Sequence, residues 1–437
     1  MLNQKKKINI IGGGLAGSEA CLYLANLGYE VNLYDIKEKQ FTPAHHNPNF
    51  AEIVCSNSFK SDAPDSASGI LKNELTLLGS TLIKTAYECR VPSGMALSVD
   101  RELFAEKITN LIKGNKNIKI HSLEVESFED DAITIVATGP LTTNKLCDAL
   151  KSKIGKDFLY FFDASSPIID ASTIDMDIAF VQDRYDKGDG DYLNLPMTKD
   201  EYTTFYNELI NANTVVLKDF ENKKIFEGCM PIEVLAKRGE ASLRFGPLKP
   251  VGLMDKRKNI KPYAVVQLRK ENIYANMYNM VGFQTNLTYP EQKRVFSLIP
   301  GLKDATFLKY GVMHRNNFIN YPKVCDEFSR LKTSNNIFIA GQLSGVEGYV
   351  ESIASGLYCA INVHKMLSDN KLIKFSNSTI IGGMYQYLIN ANADNFQPIN
   401  ANLGLLEPIN VKDKKKRNLM FHEISAKEIK EKLMQLN

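Results

Sequence analysis

Three glycines near the N-terminus constrain this chain more than any other feature. Gly12, Gly14 and Gly17 form the pattern Gly-x-Gly-x-x-Gly, after the apolar run Ile8 to Ile11 and before a helical stretch from Ser18 to Leu27. Gly28 ends that helix, Val31 to Tyr34 reads as the next strand, and Asp35 follows eighteen residues after Gly17. The spacing has a physical logic. Gly12 permits a tight turn, Gly14 lets a pyrophosphate approach the backbone, and Gly17 lets helix and strand pack closely. Gly13, Leu15 and Ala16 complete the turn, and the helix start offers unpaired N–H donors and a positive dipole end to phosphates. Asp35 is placed to accept hydrogen bonds from ribose hydroxyls. The pattern alone is weak evidence; with strand, helix and acid in place, it predicts a dinucleotide-binding unit.

A second strand-plus-glycine element stands near the other end. Asn336 to Ala340 reads as a strand, followed by Gly341-Gln342, Gly345 and Gly348, then a helix of small residues from Tyr349 to Ala360. Flavoproteins of the two-dinucleotide-binding type clamp a long cofactor with both ends of the chain. This arrangement favours FAD over NAD, with Gly341-Gln342 near the ribityl–pyrophosphate region. Only one full glycine pattern exists, so a nicotinamide donor would bind transiently. The expected fold class is α/β: an FAD-binding Rossmann-type domain, discontinuous over 1–146 and 305–437. From about Cys147 to Ile299 the pattern changes to aromatic-rich strands and loops, punctuated by Phe161, Phe162, Tyr192, Phe226, Phe245 and Phe283. That region, 147–304, reads as an inserted mixed α+β domain on the substrate side.

Between these landmarks the reading is coarser. Phe41 to Ser68 is rich in Pro, Asn, Ser and His and reads as a long ordered loop. A helix is expected from near Asp100, with Leu103, Phe104, Ile108, Leu111 and Ile112 on one face. Ile118 to Val125 and Ala132 to Thr138 read as strands. The run Lys412 to Arg417 reads as a solvated surface stretch.

Composition excludes several classes. Among 437 residues, 53 Lys and Arg face 50 Asp and Glu, a net charge of +3 that is far from a tail-type nucleic-acid binder. No run of eighteen apolar residues appears, so no membrane span is expected. The basic stretch Met1 to Lys7 leads into a glycine-turn strand rather than a signal-peptide core, which points to the cytoplasm. The seven cysteines include no Cys-x-x-Cys pair, so neither a dithiol reductase nor a structural metal site is indicated.

Longer motifs then become recognisable: Gly12 to Glu19, Thr42-Pro43-Ala44-His45-His46, Val54-Cys55-Ser56-Asn57-Ser58 and Glu227-Gly228-Cys229-Met230-Pro231. Phe245-Gly246-Pro247, Gly311 to Asn316, Gly345 to Ser352 and Asn395-Phe396-Gln397-Pro398 follow. Together they resemble the folate- and FAD-dependent tRNA uracil-5-methyltransferase family, which has a relative acting on 23S ribosomal RNA. Asp35 stands where that family commonly has Glu. The resemblance implies FAD, methylenetetrahydrofolate as one-carbon donor, NADPH or NADH as reductant, and an RNA partner, either tRNA or 23S rRNA. No metal and no membrane are implied.

Carbon 5 of uracil is a poor nucleophile until a thiolate adds at carbon 6, so the chemistry asks for a reactive cysteine. Cys229 is the first candidate, in a Gly/Pro-flanked turn with Lys237 and Arg238 downstream; Cys55 is the second, as acid–base partner or substitute nucleophile. Cys21 and Cys359 read as core residues, the ordinary fate of a free thiol. His45 and His46 read equally as flavin or folate contacts or as organisers of their loop, and His314-Arg315 as a cofactor contact or a structural polar pair. Lys237, Arg238, Arg244, Lys249, Lys256, Arg257 and Lys258 form a basic stretch that reads as a solvated face or a phosphate contact. Two other readings are a flavoprotein that modifies the tRNA wobble uridine and a non-catalytic RNA-binding flavoprotein.

Overall fold

The computed structural model describes residues 7–42, 44–155, 158–186, 190–215, 230–259, 261–272, 274–311 and 313–436. Strand β1 (Ile8–Ile11) lies at the centre of a five-stranded parallel sheet, between β2 (Val31–Tyr34) and the strand Ile133–Val136. Ile118–His121 and Ile337–Ile339 form its edges. Three of these strands are buried throughout and apolar but for Asn9 and Thr134, as a parallel sheet covered on both faces requires.

Helix α1 (Leu15–Asn26) follows β1 and packs against the long helix Tyr349–Ser368. The backbones nearly touch there: a Cβ on Gly356 would stand 2.1 Å from the carbonyl oxygen of Ala16. The sequence places the start of α1 at Ser18, but it begins at Leu15, so Gly17 lies in the first turn. The helix expected to end at Ala360 runs on to Ser368, because Ile361 and Val363 extend its buried face.

A second sheet has six antiparallel strands in the order Phe180–Val181, Tyr192–Met197, Ala264–Lys270, Met277–Met280, Ile168–Asp170 and Phe307–Lys309. It has its own core, in which Leu195, Phe205, Leu268, Phe283 and Phe296 meet. The helices Lys199–Ile210 and Tyr289–Phe296 add to this body; a capping box of Thr198 and Glu201 starts the former. The other core joins residues from Ile8 to Ile154 with residues from Phe318 to Ile429. The chain passes between the two through an antiparallel ribbon, Phe158–Ala164 with Met313–Ile319.

Several local expectations are corrected. The stretch 41–68 is not wholly loop: it holds the strand Ser58–Ser61 and the start of the helix Ala67–Leu77, capped by Ser66. The helix Arg101–Gly114 is capped by Asp100 and buries Phe104, Ile108 and Ile112, but Leu111 is 46% exposed. The buried stripe passes through Ala105 and Thr109 instead, where small side chains let the helix sit close. Ile118 to Val125 shortens to Ile118–His121. Cys147 sits inside the helix Asn144–Ile154, whose Leu146, Leu150 and Ile154 pack into the first core. Among the described residues, no helix is long and apolar enough to cross a membrane, and no group of three His, Cys, Asp or Glu could hold a metal ion.

Candidate functional site

A cleft opens at the carboxyl ends of the parallel strands, where α/β sheets bind ligands. It holds about 1080 Å³ of empty space, its open mouth included. Gly12, Gly13, Gly14, Leu15, Ala16 and Asp35 line one wall, and Gly341 and Gln342 line another. Gly12 has φ +99° and its missing Cβ would sit 2.6 Å from the carbonyl oxygen of Ala137, so only glycine fits. Gly14 has nothing within 4 Å of its Cβ direction and carries no side-chain cap, which leaves the start of α1 open to an anion. Gly17 lies behind the lining, where a Cβ would stand 1.8 Å from the carbonyl oxygen of Gly12. Its task is packing.

Asp35 organises the turn: one carboxylate oxygen accepts from the N–H of Gly13 at 2.6 Å, the other from that of Lys37 at 2.7 Å. The buried Lys37 ammonium donates to the carbonyl of Asn49 and lies 3.9 Å from Glu52. Burial pulls the Lys37 pKa down, with Asp35 and Glu52 working against it. Burial pushes that of Glu52 up, opposed by the backbone N–H of His46. One Glu52 oxygen is buried without a hydrogen-bond partner in the described protein, although Glu52 lines the cleft. A polar ligand hydroxyl or amine would satisfy it. Open glycine, uncapped helix start and a Glu52 oxygen with only a 3.9 Å ion-pair contact to Lys37 all fit a dinucleotide.

Gly345 and Gly348, which the sequence groups with the cofactor, lie outside the lining. Gly345 adopts φ +94° with Phe396 against it, and Gly348 adopts φ +124° beside Glu351 and Lys60. Both shape the turn that leads into the helix Tyr349–Ser368. Gln342 is held by Glu347, its amide nitrogen donating to the two carboxylate oxygens at 2.8 and 2.9 Å. That bond fixes which end of the amide is the donor, and it points Nε2 at Glu347.

Cys55 lies in a loop at the edge of this cleft. Its neighbour Val54 lines the cavity, and so does Tyr349, whose hydroxyl accepts from the N–H of Cys55 at 2.7 Å and of Ser56 at 3.0 Å. Two cations brace the loop. Arg101 donates to the carbonyls of Ile53 and Val54 at 3.2 and 3.3 Å, and Lys309 to that of Val54 at 3.4 Å. Arg101 also forms a two-pronged pair with the buried Glu271, at 2.6 and 3.1 Å. Burial lowers the pKa of Lys309, and the Arg101 guanidinium adds to the effect. The side chain of Asn57 reaches the carbonyls of Val99 and Lys270 and accepts from Arg269 at 2.9 Å. Cations near a thiol favour its thiolate.

The other cysteines contrast with it. Burial pushes Cys21 and Cys325 well up and Cys359 up to about 12, the signature of inert core thiols. Cys229 lies outside the described residues, as do the side chains of His314 and Arg315. His45 lines the cleft and pairs with Thr42 at 2.5 Å. His46 donates its N–H to Glu52.

Sequence reading missed Lys37, Glu52, Tyr349, Arg101, Lys309 and Glu271. Lys37 carried a signal, a lysine two residues after the strand-ending acid. Arg101 carried none, because its partner Glu271 is remote in sequence.

Comparison with known proteins adds the family. The model of the GIDA family, glucose inhibited division protein A, matches residues 7–371. A protein from Acetivibrio thermocellus named methylenetetrahydrofolate–tRNA-(uracil-5-)-methyltransferase TrmFO is 51% identical over 413 residues, covering 94% of this chain and 95% of its own. A Lactobacillus gasseri protein of the same name is 49% identical over 428 residues, covering 98% and 97%. Among solved structures, GidA of Aquifex aeolicus aligns with TM-score 0.73 at 14% identity, over all of this chain and 74% of its own, and so speaks for the fold alone. On identities near one half over nearly the full length, the chain belongs to the TrmFO family.

Proposed function

We propose that this protein methylates carbon 5 of a uridine in tRNA, drawing the carbon from methylenetetrahydrofolate. The observation that carries the reading is the meeting of two features at one cleft: a glycine turn open to a dinucleotide, and the cation-braced loop of Cys55 at its edge. The cleft lining suits FAD: Gly12 to Ala16 would hold its pyrophosphate, Asp35 and Glu52 would meet ribose hydroxyls, and Gly341-Gln342 would face the ribityl chain. When bound and reduced by NADPH or NADH, it supplies the hydride.

The chain's own residues do the rest. The thiolate of Cys229 adds to carbon 6 of the uracil, and the electron pair moves through the ring to make carbon 5 nucleophilic. Carbon 5 attacks the methylene carbon; the Cys55 thiolate then takes the proton that carbon 5 gives up, and the electron pair released expels the donor nitrogen, whose bond to the methylene breaks and which leaves with that bond's pair. Hydride arrives at the exocyclic carbon, the bond to sulfur breaks, and the Cys229 thiolate is restored. The uridine must leave its stack to reach this loop, and the region 147–304 is the side from which the RNA enters. The names of the close relatives favour tRNA over 23S rRNA as the substrate.

The test offers unmodified tRNA and 23S rRNA transcripts side by side, with labelled methylenetetrahydrofolate and NADPH, and maps the labelled uridine. Label should enter tRNA at one uridine and be absent with Cys229→Ala. Label entering from S-adenosylmethionine instead, or a Cys229→Ala protein that methylates normally, would overturn the reading. A non-catalytic RNA-binding flavoprotein would transfer no label at all.

A further inference from the structure

The chain's positive charge is unevenly placed. Residues 237–261 hold eight Lys and Arg against two acids, a surplus of six, while the whole chain carries only +3. The rest of the protein is therefore net negative. Lys237, Arg238, Lys249, Lys256, Arg257 and Lys258 are all exposed. Arg257 is tied to Asp255 and Lys256 to Asp186.

In the midst of these cations stands Phe245, 80% exposed. A single exposed apolar side chain is ordinary, but this one is held out by a rigid turn. In the short helix Ser242–Phe245, Leu243 points into the core and is fully buried. Phe245 N–H donates to Ala241, Leu248 N–H returns to Leu243 at 2.8 Å, and Pro247 packs so tightly on Gly282 that a Cβ there would come within 2.5 Å. Arg244 lies 3.6 Å over the ring of Tyr263 and donates to its carbonyl. These contacts fix the backbone that carries Phe245. A second exposed ring, Tyr185, lies against Gly252 in the same stretch, which Arg184 anchors through the carbonyls of Lys249 and Val251.

Phosphates and unpaired bases need cations along a track and π-faces between them. We propose that the surface carried by residues 237–261 is the docking site for unpaired nucleotides of the RNA substrate, with the Phe245 ring as a base-stacking platform. The proposal rests on the reading above that the substrate is RNA. The helix Ile232–Ala236 that precedes the patch is fixed to the loop 284–286: Ile232 N–H donates to Gln284, and Glu233 accepts from Thr285 and Asn286. A helix of four residues with one apolar ring presents no amphipathic face to a lipid layer.

The experiment measures binding of full-length, flavin-loaded protein to a labelled tRNA transcript by fluorescence anisotropy across a salt series. Phe245→Ala should weaken binding roughly tenfold or more. Lys249→Ser should lower the salt slope by about 0.7 to 0.9. Flavin content and NADPH oxidation without RNA should match the parent protein in both, which separates a docking defect from misfolding. If the parent binds and methylates tRNA but Phe245→Ala binds equally well, this inference fails and the functional reading stands. If the parent binds no RNA, both fall. Equal loss of binding to vesicles of anionic lipid would reassign the patch to a membrane surface and overturn the proposal.

Discussion

The two walls of the cleft are built by opposite means. At the glycine turn the ordering bonds are short in sequence: Asp35 holds Gly13, 22 residues away, and Lys37, two away. At the cysteine loop they are long: Cys55 to Tyr349 spans 294 residues, Asn57 to Lys270 spans 213, and Arg101 to Glu271 spans 170. The first wall forms once β1, α1 and β2 form. The second exists only when both cores have folded and the strand Ala264–Lys270 has been brought against the loop. The ordering of the glycine turn is thus a local property of this chain, whereas placement of Cys55 is a global one.

That contrast can be broken most forcefully at Glu271. Glu271→Ala leaves the Arg101 guanidinium, whose side chain is 16% exposed, without its carboxylate, at a cost of about 3 kcal/mol, the low end for a broken buried pair. Urea unfolding should show the loss, and alkylation of Cys55 should accelerate as its loop is released. A small change in stability together with unaltered alkylation would mean that the loop is ordered locally after all.

A smaller effect is expected at the other wall. Gly17→Ala forces a Cβ into the Gly12 carbonyl and should cost about 1–3 kcal/mol. Flavin absorbance of the purified protein should fall, while the alkylation rate of Cys55 stays near that of the parent. If the two respond together, the walls are not independent.

The smallest effect concerns Glu19, on α1 itself. Its carboxylate accepts from Ser80 and from the N–H groups of Thr81 and Leu82, yet burial raises its pKa to about 7. Glu74, buried against Ile380, Ile381 and Ser425, is raised to about 7 in the same way. Between the ordinary 4.5 and about 7 the folded state holds more protons than the unfolded one. Stability from these groups is therefore full below that window and declines as pH rises through it. Melting temperature should fall across the window, and Glu19→Gln should flatten the fall. An unchanged slope would assign the pH dependence elsewhere.

Legibility in the sequence followed the same division. Gly12, Gly14 and Asp35 could be read because the turn's requirements act within one βαβ unit. The stretch 41–68 read as loop because Ser58–Ser61 is a strand only through its pairing with Ala96–Val99. Leu111 was assigned to the buried face on apolar character, yet Thr109 takes the place nearer the core, its hydroxyl accepting from the N–H of Phe50. Glycines also differed in meaning. Gly341 lines the cleft, while Gly345 and Gly348, in the same motif, serve the turn behind it.

By itself the sequence determined the parallel-sheet architecture, the glycine turn with its acid, and, through long motifs, the family. These depend on backbone geometry over a few dozen residues, where steric rules leave little choice. Only the tertiary structure decided which cations brace the Cys55 loop, that Glu52 in the cleft lining holds a buried oxygen beside Lys37, and that Phe245 stands outside its core. Each of those depends on which distant surface arrives opposite a side chain, and spacing along the chain carries no record of that.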